Sequence, residues 1–246
     1  MEWFEHAFNE DYDRIYMHTF TPERNTGEAQ FIKSGLNLAK GSKVLDIACG
    51  HGRHALLLGA DFKMTGVDLS ERFIAMAQEA AKRLKSNARF EVGDMRRLKF
   101  KNEFDGAYCY FTSFGYFPHR ENVTALNNVS KALRKGGRFL LETANRDWHL
   151  HRVEAQPRRW EEITPGYLYL EDASFNARTG RIHTRRIIID GAERRELEFD
   201  YRLYSLAEIE DMIERAGMRI VSTFGGRDRL PFSISSPRMI IVSEKS

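Results

Sequence analysis

A strand, a glycine-rich turn and a second strand that ends in an acid constrain the fold of this chain most strongly. Residues 44–54 read VLDIACGHGRH, in which apolar residues pass through Asp46 into the turn. A second apolar segment then ends at Asp68. Glycines let a ligand approach the backbone, and an acid about 20 residues further on accepts hydrogen bonds from ribose hydroxyls. The segment therefore predicts a nucleoside-binding α/β unit, and the alternative is a tight strand-to-helix turn in some other α/β fold.

The positions of the glycines distinguish between nucleoside ligands. A dinucleotide fingerprint, GxGxxG, would place glycine at 48, 50 and 53. This sequence has Ala48, Gly50 and Arg53 there, and its second glycine of the turn is Gly52. Asp46 on the strand would repel a diphosphate but would suit a cationic ligand. The turn therefore favours a cationic nucleoside over a dinucleotide.

This turn resembles the first motif of the class I S-adenosylmethionine-dependent methyltransferases, (D/E)xGxGxG, with Ala48 in place of its first glycine. Later segments resemble that family in the same order: GVDL, VGDMRRL, FDGAYCYFTSFGYF and LRKGGRFLLET. The resemblance covers about 100 residues. It implies that Asp68 binds the ribose hydroxyls, that Asp94 accepts from the adenine amino group and that the backbone N–H of Met95 faces the ring.

The cofactor implied by the resemblance is S-adenosylmethionine, and no metal site is expected. Polar residues of the N-terminal region, including Tyr12 and His18, are expected at a lid over the cofactor, where Arg24 would meet the methionine carboxylate. An ordinary helix surface is the alternative for these lid residues. The residues assigned to the cofactor are Asp46, Ala48, Gly50, Gly52, Arg53, Asp68, Leu69, Asp94, Met95, Tyr110, Phe111, Tyr16 and Arg24.

Alternating strand and helix patterns predict an α/β fold with a Rossmann-like, seven-stranded, mostly parallel sheet flanked by helices. Strands are expected at 43–47, 62–68, 88–92, 104–110, 139–142, 219–224 and 238–242. Helices are expected at 2–20, 22–39, 52–60 and 71–85, along an apolar stripe from 123 to 133, and between Ser205 and Gly217. Thr21, Ser70 and Ser205 are expected to cap three of them.

The chain is expected to form a single methyltransferase domain over 1–246, with residues 1–40 as a helical lid. After residue 156 the helical period gives way to alternation, which predicts an antiparallel β insertion at 157–204 with strands near 167–175, 181–189 and 194–204. The insertion holds nine basic and nine acidic residues. This balance favours a lid or a homodimer surface over a groove for a polyanion.

Composition limits the remaining functions. Charged residues make up 30% of the 246, the formal net charge is only +3, and no apolar run approaches the 18 or more residues of a membrane span. The N-terminal residues lack the pattern of a secretory signal, so a cytoplasmic location is expected. The two cysteines, Cys49 and Cys109, are too few for a disulfide framework or a four-cysteine metal site.

Motifs that the sequence lacks limit the classes of methyl acceptor. The chain lacks the (N/D)PP(Y/F) segment of DNA amino-group methyltransferases, a cysteine next to proline, and the paired-glutamate loop of the protein-arginine branch. A small molecule that offers oxygen or nitrogen is therefore expected, and an RNA methyltransferase or a non-catalytic S-adenosylmethionine-binding protein are the alternatives. No catalytic base is assigned. Residues considered for the acceptor side are Phe111, Phe114, Tyr116, Phe117, Asn145, Arg146, Trp148 and His149, with His119, His149 and His151 as possible bases.

Overall fold

The computed structural model describes residues 2–246, so Met1 of the expected N-terminal lid lies outside the described residues. The α-helices are α1 Glu10–Tyr16, α2 Pro22–Leu36, α3 Arg53–Leu58, α4 Glu71–Leu84, α5 His119–Ala132, α6 Arg146–Ala155 and α7 Leu206–Arg215. The strands are β1 Lys43–Ile47, β2 Lys63–Asp68, β3 Arg89–Val92, β4 Phe104–Cys109, β5 Leu133–Ala144, β6 Arg158–Thr164, β7 Tyr167–Asn176, β8 Arg181–Asp190, β9 Glu193–Arg202, β10 Met218–Phe224 and β11 Arg238–Lys245.

The larger sheet has seven strands in the order β10-β11-β5-β4-β1-β2-β3. Strands β1 to β5 pair in parallel, and β11 is antiparallel to both β5 and β10. The predicted Rossmann-like, mostly parallel sheet is therefore confirmed. The chain runs outward from β1 to β3 on one side and continues with β4 and β5 on the other. Ligands bind at such a reversal, beyond the carboxyl ends of the central strands.

The central strands form because both of their faces are buried. In β1, Val44, Leu45 and Ile47 are at most 1% exposed, as expected for a parallel strand covered by helices on both sides. Leu45 and Ile47 belong to one apolar cluster and Val44 to the other. The sheet therefore separates two cores and fixes the position of the turn that follows β1.

Helix ends follow the capping residues that the sequence predicts. Thr21 accepts from the N–H of Arg24 at 3.2 Å, with Pro22 in the first turn of α2. Ser70 caps α4, and Ser205 forms a capping box with Glu208 at the start of α7. Each side chain satisfies a backbone N–H that would otherwise lack an acceptor.

A second, antiparallel sheet follows the fifth strand, in the order β6-β7-β8-β9. This confirms the predicted β insertion, with a fourth strand, β6, added to the three that alternation located. The turns after β7 and β8 contain Gly180 and Gly191, whose φ angles are 68° and 59°. This left-handed backbone is readily adopted by glycine, which explains why hairpin turns form here.

Two predicted elements differ in the structure, and one helix is additional to those predicted. The expected helix at 2–20 is divided into a 3₁₀ turn at Trp3–Glu5, helix α1 and a second 3₁₀ turn at Met17–Thr19. Asn9 ends the first piece because its side chain accepts from two backbone N–H groups and so starts α1. The fifth strand begins at Leu133, not at 139, and directly follows α5. Helix α6 was not predicted, since no residue in it is buried and it lacks an apolar stripe.

No helix in the described part of the chain is long and apolar enough to cross a membrane.

Candidate functional site

A cavity of about 1000 Å³ lies beyond the carboxyl ends of β1, β2 and β4. Its walls include the residues before β1, the glycine turn, the end of β2, the loops after β3 and β4, and the second sheet. The aromatic residues that line it include Phe8, Phe73 and Tyr116. The cavity lies where the strand order reverses, the position at which open α/β sheets bind ligands.

The turn after β1 uses its residues in different ways. Ala48, Gly50 and Gly52 have φ angles of 57°, 55° and 80°, so the alanine adopts a conformation that glycine prefers. A Cβ at Gly50 would meet no atom within 4 Å, which leaves an open cradle beside the cavity. A Cβ at Gly52 would lie 2.8 Å from the ring of Phe90. Gly52 is therefore required for packing against β3, and it does not line the cavity.

Asp68 at the end of β2 is held by the same turn. One carboxylate oxygen accepts from the N–H of Gly50 at 2.8 Å and the other from the N–H of Ser70 at 2.9 Å. Burial raises the pKa of Asp68, while these two hydrogen bonds lower it. The neighbouring Leu69 is 42% exposed and also lines the cavity. The carboxylate is thus fixed in orientation at the cavity wall.

Asp46 lies at the carboxyl end of β1 and is only 2% exposed. Its carboxylate accepts from the hydroxyl of Tyr108 at 2.7 Å. Burial raises the pKa of Asp46 to about 8, although the hydrogen bond from Tyr108 and the charge of Arg53 lower it. A cation in this part of the cavity would favour the ionised carboxylate.

Arg53, the first residue of α3, has one guanidinium nitrogen that lacks a partner. Its Nη1 donates to Oδ1 of Asn25 at 2.8 Å and also pairs with Glu28. Its Nη2 is buried and has no hydrogen-bond partner among residues 2–246. Because a buried guanidinium donor is costly to leave unsatisfied, Arg53 suits an anionic group of a ligand in the cavity.

Glu28 contacts Arg53 and two further basic side chains. Its carboxylate accepts from Arg24 Nε at 2.9 Å and contacts His54 Nε2 at 2.9 Å. Burial opposes its ionisation, but the hydrogen bonds from His54 and the charge of Arg53 hold its pKa well below the usual range. Arg24 is therefore engaged by Glu28, and it does not line the cavity.

The loop after β4 holds two consecutive residues in left-handed conformation. Phe111 and Thr112 have φ angles of 73° and 59°. Their N–H groups donate to the buried carboxylate of Glu142 at 2.6 Å and 3.1 Å. Glu142 is also 3.3 Å from Nε of Arg238. This carboxylate stabilises an otherwise unfavourable backbone and places Phe111 at the cavity wall.

The structure brings most of the sequence-predicted cofactor residues to the cavity. Three of the thirteen lie outside its lining, namely Gly52, Arg24 and Asp94. The carboxylate of Asp94 accepts from the N–H and the guanidinium of Arg96, at 2.8 Å and 2.9 Å. The predicted cofactor residues that line the cavity are Asp46, Ala48, Gly50, Arg53, Asp68, Leu69, Met95, Tyr110, Phe111 and Tyr16.

The residues considered for the acceptor side are divided. Tyr116, Phe117 and His149 line the cavity, as does Tyr12 of the expected lid. Asn145 instead donates to the carbonyl groups of Ser233, Ile234 and Ser236, so it joins β5 to the loop before β11. The residues that lie outside the lining are His18, Phe114, Asn145, Arg146, Trp148, His119 and His151.

Several residues that line the cavity were not predicted from the sequence. They come from the first residues of the chain, from the second sheet and from β11, far from the motif in sequence. No spacing in the sequence relates them to the glycine turn, although alternation within β8 and β9 marks one face of the second sheet. These residues are Trp3, Phe4, Phe8, Arg159, Arg186, Leu197, Phe199, Tyr201 and Arg238.

Comparison with known proteins shows which domain and which solved structures this chain resembles. Residues 44–137 match a family model described as a methyltransferase domain. An uncharacterized protein of Methanocaldococcus jannaschii, MJ1252, is 27% identical over 87% of this chain and 74% of its own length. Phosphoethanolamine N-methyltransferase 3 of Arabidopsis thaliana is 31% identical over 53% of this chain and 26% of its own length. This chain thus matches only about a quarter of that enzyme.

Solved structures share the fold along nearly the whole chain. A S-adenosylmethionine-dependent methyltransferase from Clostridium acetobutylicum superposes with a TM-score of 0.80 at 19% identity, covering 96% of both chains. CalS10, an amino pentose methyltransferase from Micromonospora echinaspora solved with S-adenosylmethionine bound, has a TM-score of 0.66 at 19% identity, covering 98% of this chain and 99% of its own.

The matched domain and the shared fold thus make this chain similar to S-adenosylmethionine-dependent methyltransferases.

Proposed function

We propose that this protein transfers the methyl group of S-adenosylmethionine to an oxygen or nitrogen atom of a small molecule. The observation that carries the proposal is one continuous cavity, which joins Asp68 and the glycine turn to an aromatic and basic wall on the second sheet. Its volume of about 1000 Å³ is at the upper end of the range of about 300–1,000 Å³ for small-molecule sites. A donor and an acceptor can therefore occupy it together.

The residues present fit the cofactor. The fixed carboxylate of Asp68 would accept from the ribose hydroxyls, and the open cradle at Gly50 would admit the ligand close to the backbone. The unpartnered Nη2 of Arg53 would donate to the methionine carboxylate. Met95 lines the cavity and would contact the adenine ring, whereas Asp94 would have to leave Arg96 to accept from the adenine amino group.

The chain contributes to the reaction chiefly by position and by excluding water. The cofactor supplies an electrophilic methyl group, and the acceptor atom must approach it in line. The ring centre of Phe8 lies 5.1 Å from that of Tyr12 and 6.2 Å from that of Tyr116, and these rings along the cavity would keep water away. We propose that residues 1–40 and the insertion at 157–204 act as the lids of a single domain over 1–246, because both supply lining residues.

His149 is the one histidine of the acceptor side that lines the cavity. Burial, together with the charges of Arg152, Arg238 and Arg159, lowers its pKa to about 4. Its imidazole is therefore uncharged at neutral pH and can accept a hydrogen bond from a hydroxyl or amine of the acceptor. This supports a role in orienting the acceptor.

Charge pairing in the second sheet supports a small molecule over RNA. Arg158 pairs with Asp172, Arg185 with Glu196 and Arg181 with Asp200, so these arginines already have carboxylate partners. A surface that binds a phosphate backbone needs arginine and lysine side chains that are available to the phosphates. The tests below include RNA as an outcome.

Calorimetric titration with S-adenosylhomocysteine tests the donor site. Asp68→Ala should weaken binding by about tenfold or more, because the ribose loses a charged acceptor worth about 1.5–3 kcal/mol. The matched control is Asp61→Ala, since Asp61 precedes the same strand at its other end and pairs with Lys33 on the surface. Circular dichroism checks that both variants fold. Equal binding by wild type and Asp68→Ala, or no binding by wild type, would refute the site.

A methyl-acceptor screen tests the reaction. Wild-type protein with S-adenosylmethionine should form S-adenosylhomocysteine with at least one small metabolite that offers a hydroxyl or an amine. Turnover of RNA alone, together with an affinity for RNA that falls steeply with salt, would replace this proposal by the RNA methyltransferase. Binding of the cofactor without turnover of any acceptor would favour the non-catalytic binding protein.

A further inference from the structure

One carboxylate beside the cavity accepts hydrogen bonds from two guanidinium groups. Glu171 of β7 accepts from Nε of Arg186 at 2.9 Å through one oxygen and from Nε of Arg159 at 2.5 Å through the other. Arg186 lies opposite Glu171 in the register of β7 and β8. The side chains of Arg186 and Glu171 are each only 6% exposed. This trio therefore retains one net positive charge, with Arg186 and Glu171 buried and the side chain of Arg159 37% exposed.

Arg186 is held by several contacts and still has a hydrogen-bond donor available. Its Nη2 donates to the hydroxyl of Tyr16 at 2.6 Å, and its guanidinium lies 4.8 Å from the ring centre of Phe199 and 5.0 Å from that of Tyr169. Within residues 2–246, no acceptor receives a hydrogen bond from its Nη1, and the residue lines the cavity. An uncompensated buried charge is costly, and an anion in the cavity would offset that cost.

The surroundings add positive charge. Arg238 also lines the cavity, and its partner Glu142 is already engaged by the N–H groups of Phe111 and Thr112. The low pKa of His149 reflects burial and then the charges of Arg152, Arg238 and Arg159. The acceptor side of the cavity thus carries more guanidinium groups than its carboxylates neutralise.

We propose that the methyl acceptor carries an oxyanion, a carboxylate or a phosphate, that binds to Arg186 and Arg159 inside the cavity. The aromatic residues Phe199, Tyr201 and Tyr116 line the same space and would pack against an apolar or planar body. The inference rests on the proposed function, because it identifies the class of acceptor for that same site.

Matched pairs of ligands test the charge preference. Protein saturated with S-adenosylhomocysteine is titrated calorimetrically with 3-phenylpropionate and its uncharged analogue 3-phenylpropanamide, and with phenyl phosphate and phenol. At least one anion should bind about tenfold or more tightly than its uncharged partner, since hydrogen bonds from a guanidinium to an oxyanion are charge-assisted. The two pairs distinguish a carboxylate site from a phosphate site. Equal affinities within both pairs, or no binding of either anion at 10 mM, would overturn the inference.

Two neighbouring arginines of β6 provide the variant and its control. Successive side chains of a strand point to opposite faces, so Arg159 lines the cavity while Arg158 pairs with Asp172 at the surface. Arg159→Gln should reduce the affinity for the preferred anion about tenfold, and Arg158→Gln should leave it within about twofold. An equal loss in both variants would refute a specific site and indicate general charge attraction.

Arg186 needs a compensated variant, because its removal alone would leave Glu171 buried with one partner fewer. Arg186→Gln combined with Glu171→Gln and Arg159→Gln places amides at all three positions and removes the net positive charge of the trio. This triple variant should bind S-adenosylhomocysteine like the wild type and lose the preference for the anion. Retention of the preference would overturn the inference, while failure of the wild type to bind S-adenosylhomocysteine would refute the proposed function itself.

Discussion

Replacing Asp46 by asparagine should stabilise the fold at neutral and alkaline pH while weakening the binding of the cationic cofactor. Asp46 is 2% exposed, and burial raises its pKa to about 8 from an ordinary value of 3.8. Below pH 4 the carboxyl is protonated in the folded and the unfolded chain. Between pH 4 and 8 the unfolded chain loses this proton and the folded chain keeps it, so wild-type stability falls as the pH rises.

The size of this change in stability follows from the difference between the pKa values of Asp46 in the folded and the unfolded chain. Each pH unit corresponds to about 1.36 kcal/mol, so ionising Asp46 in the folded protein costs up to about 6 kcal/mol. Asparagine carries no ionisable proton and keeps an acceptor for the hydroxyl of Tyr108, which donates to Asp46 at 2.7 Å. Between pH 5 and pH 8 the gain in unfolding free energy of the variant over the wild type should grow by about 2–4 kcal/mol.

Urea unfolding of both proteins at pH 5 and pH 8 measures this change in the difference. Effects of the substitution that do not depend on pH cancel between the two conditions. Asp61→Asn is the control, because its carboxylate lies at the surface and pairs with Lys33. The difference in unfolding free energy between Asp61→Asn and the wild type should change by less than about 1 kcal/mol between pH 5 and pH 8. A difference for Asp46→Asn that is the same at pH 5 and pH 8 would refute the argument.

Two further substitutions test the packing and the loop around the site. Gly66→Ala would place a Cβ 2.6 Å from the ring of Phe90, so it should lower the unfolding free energy by about 1–3 kcal/mol in urea titrations, and an unchanged midpoint would contradict this packing. Glu142→Gln replaces the charged acceptor of the N–H groups of Phe111 and Thr112, so these two amides should exchange hydrogen about tenfold faster in deuterated buffer, whereas unchanged exchange would show that the carboxylate does not hold the loop.

The sequence predicts the parts of the fold that depend on local pattern. Strand β1 contains the apolar residues Val44, Leu45 and Ile47 and is followed by a glycine-rich turn, so both its existence and its end at the turn were predictable. The acid at the end of β2 belongs to the same local motif, and the structure shows its carboxylate bonded to the N–H of Gly50. Capping residues such as Ser205 likewise act over only a few positions.

The acceptor side of the cavity could not be predicted, because its contacts join residues far apart in the chain. Arg186 donates to Tyr16, 170 residues earlier, and neither position carries a motif. Trp3 and Phe8 line the cavity from the segment that precedes α1, which begins after its cap Asn9. Burial of these side chains depends on the tertiary structure, which a periodic pattern does not specify.

The two ends of the cavity impose opposite electrostatic costs on the folded chain. Asp46 is a buried acid beside the proposed donor. Beside the proposed acceptor, Arg186 and Arg159 share a single carboxylate partner, Glu171. A packed hydrophobic core would be more stable without either group. A cationic donor would favour the ionised form of Asp46, and an anionic acceptor would offset the positive charge at Arg186 and Arg159, so each would bind in one orientation and stabilise the fold on binding. The cost of these buried groups is therefore best explained by ligands that carry the complementary charges.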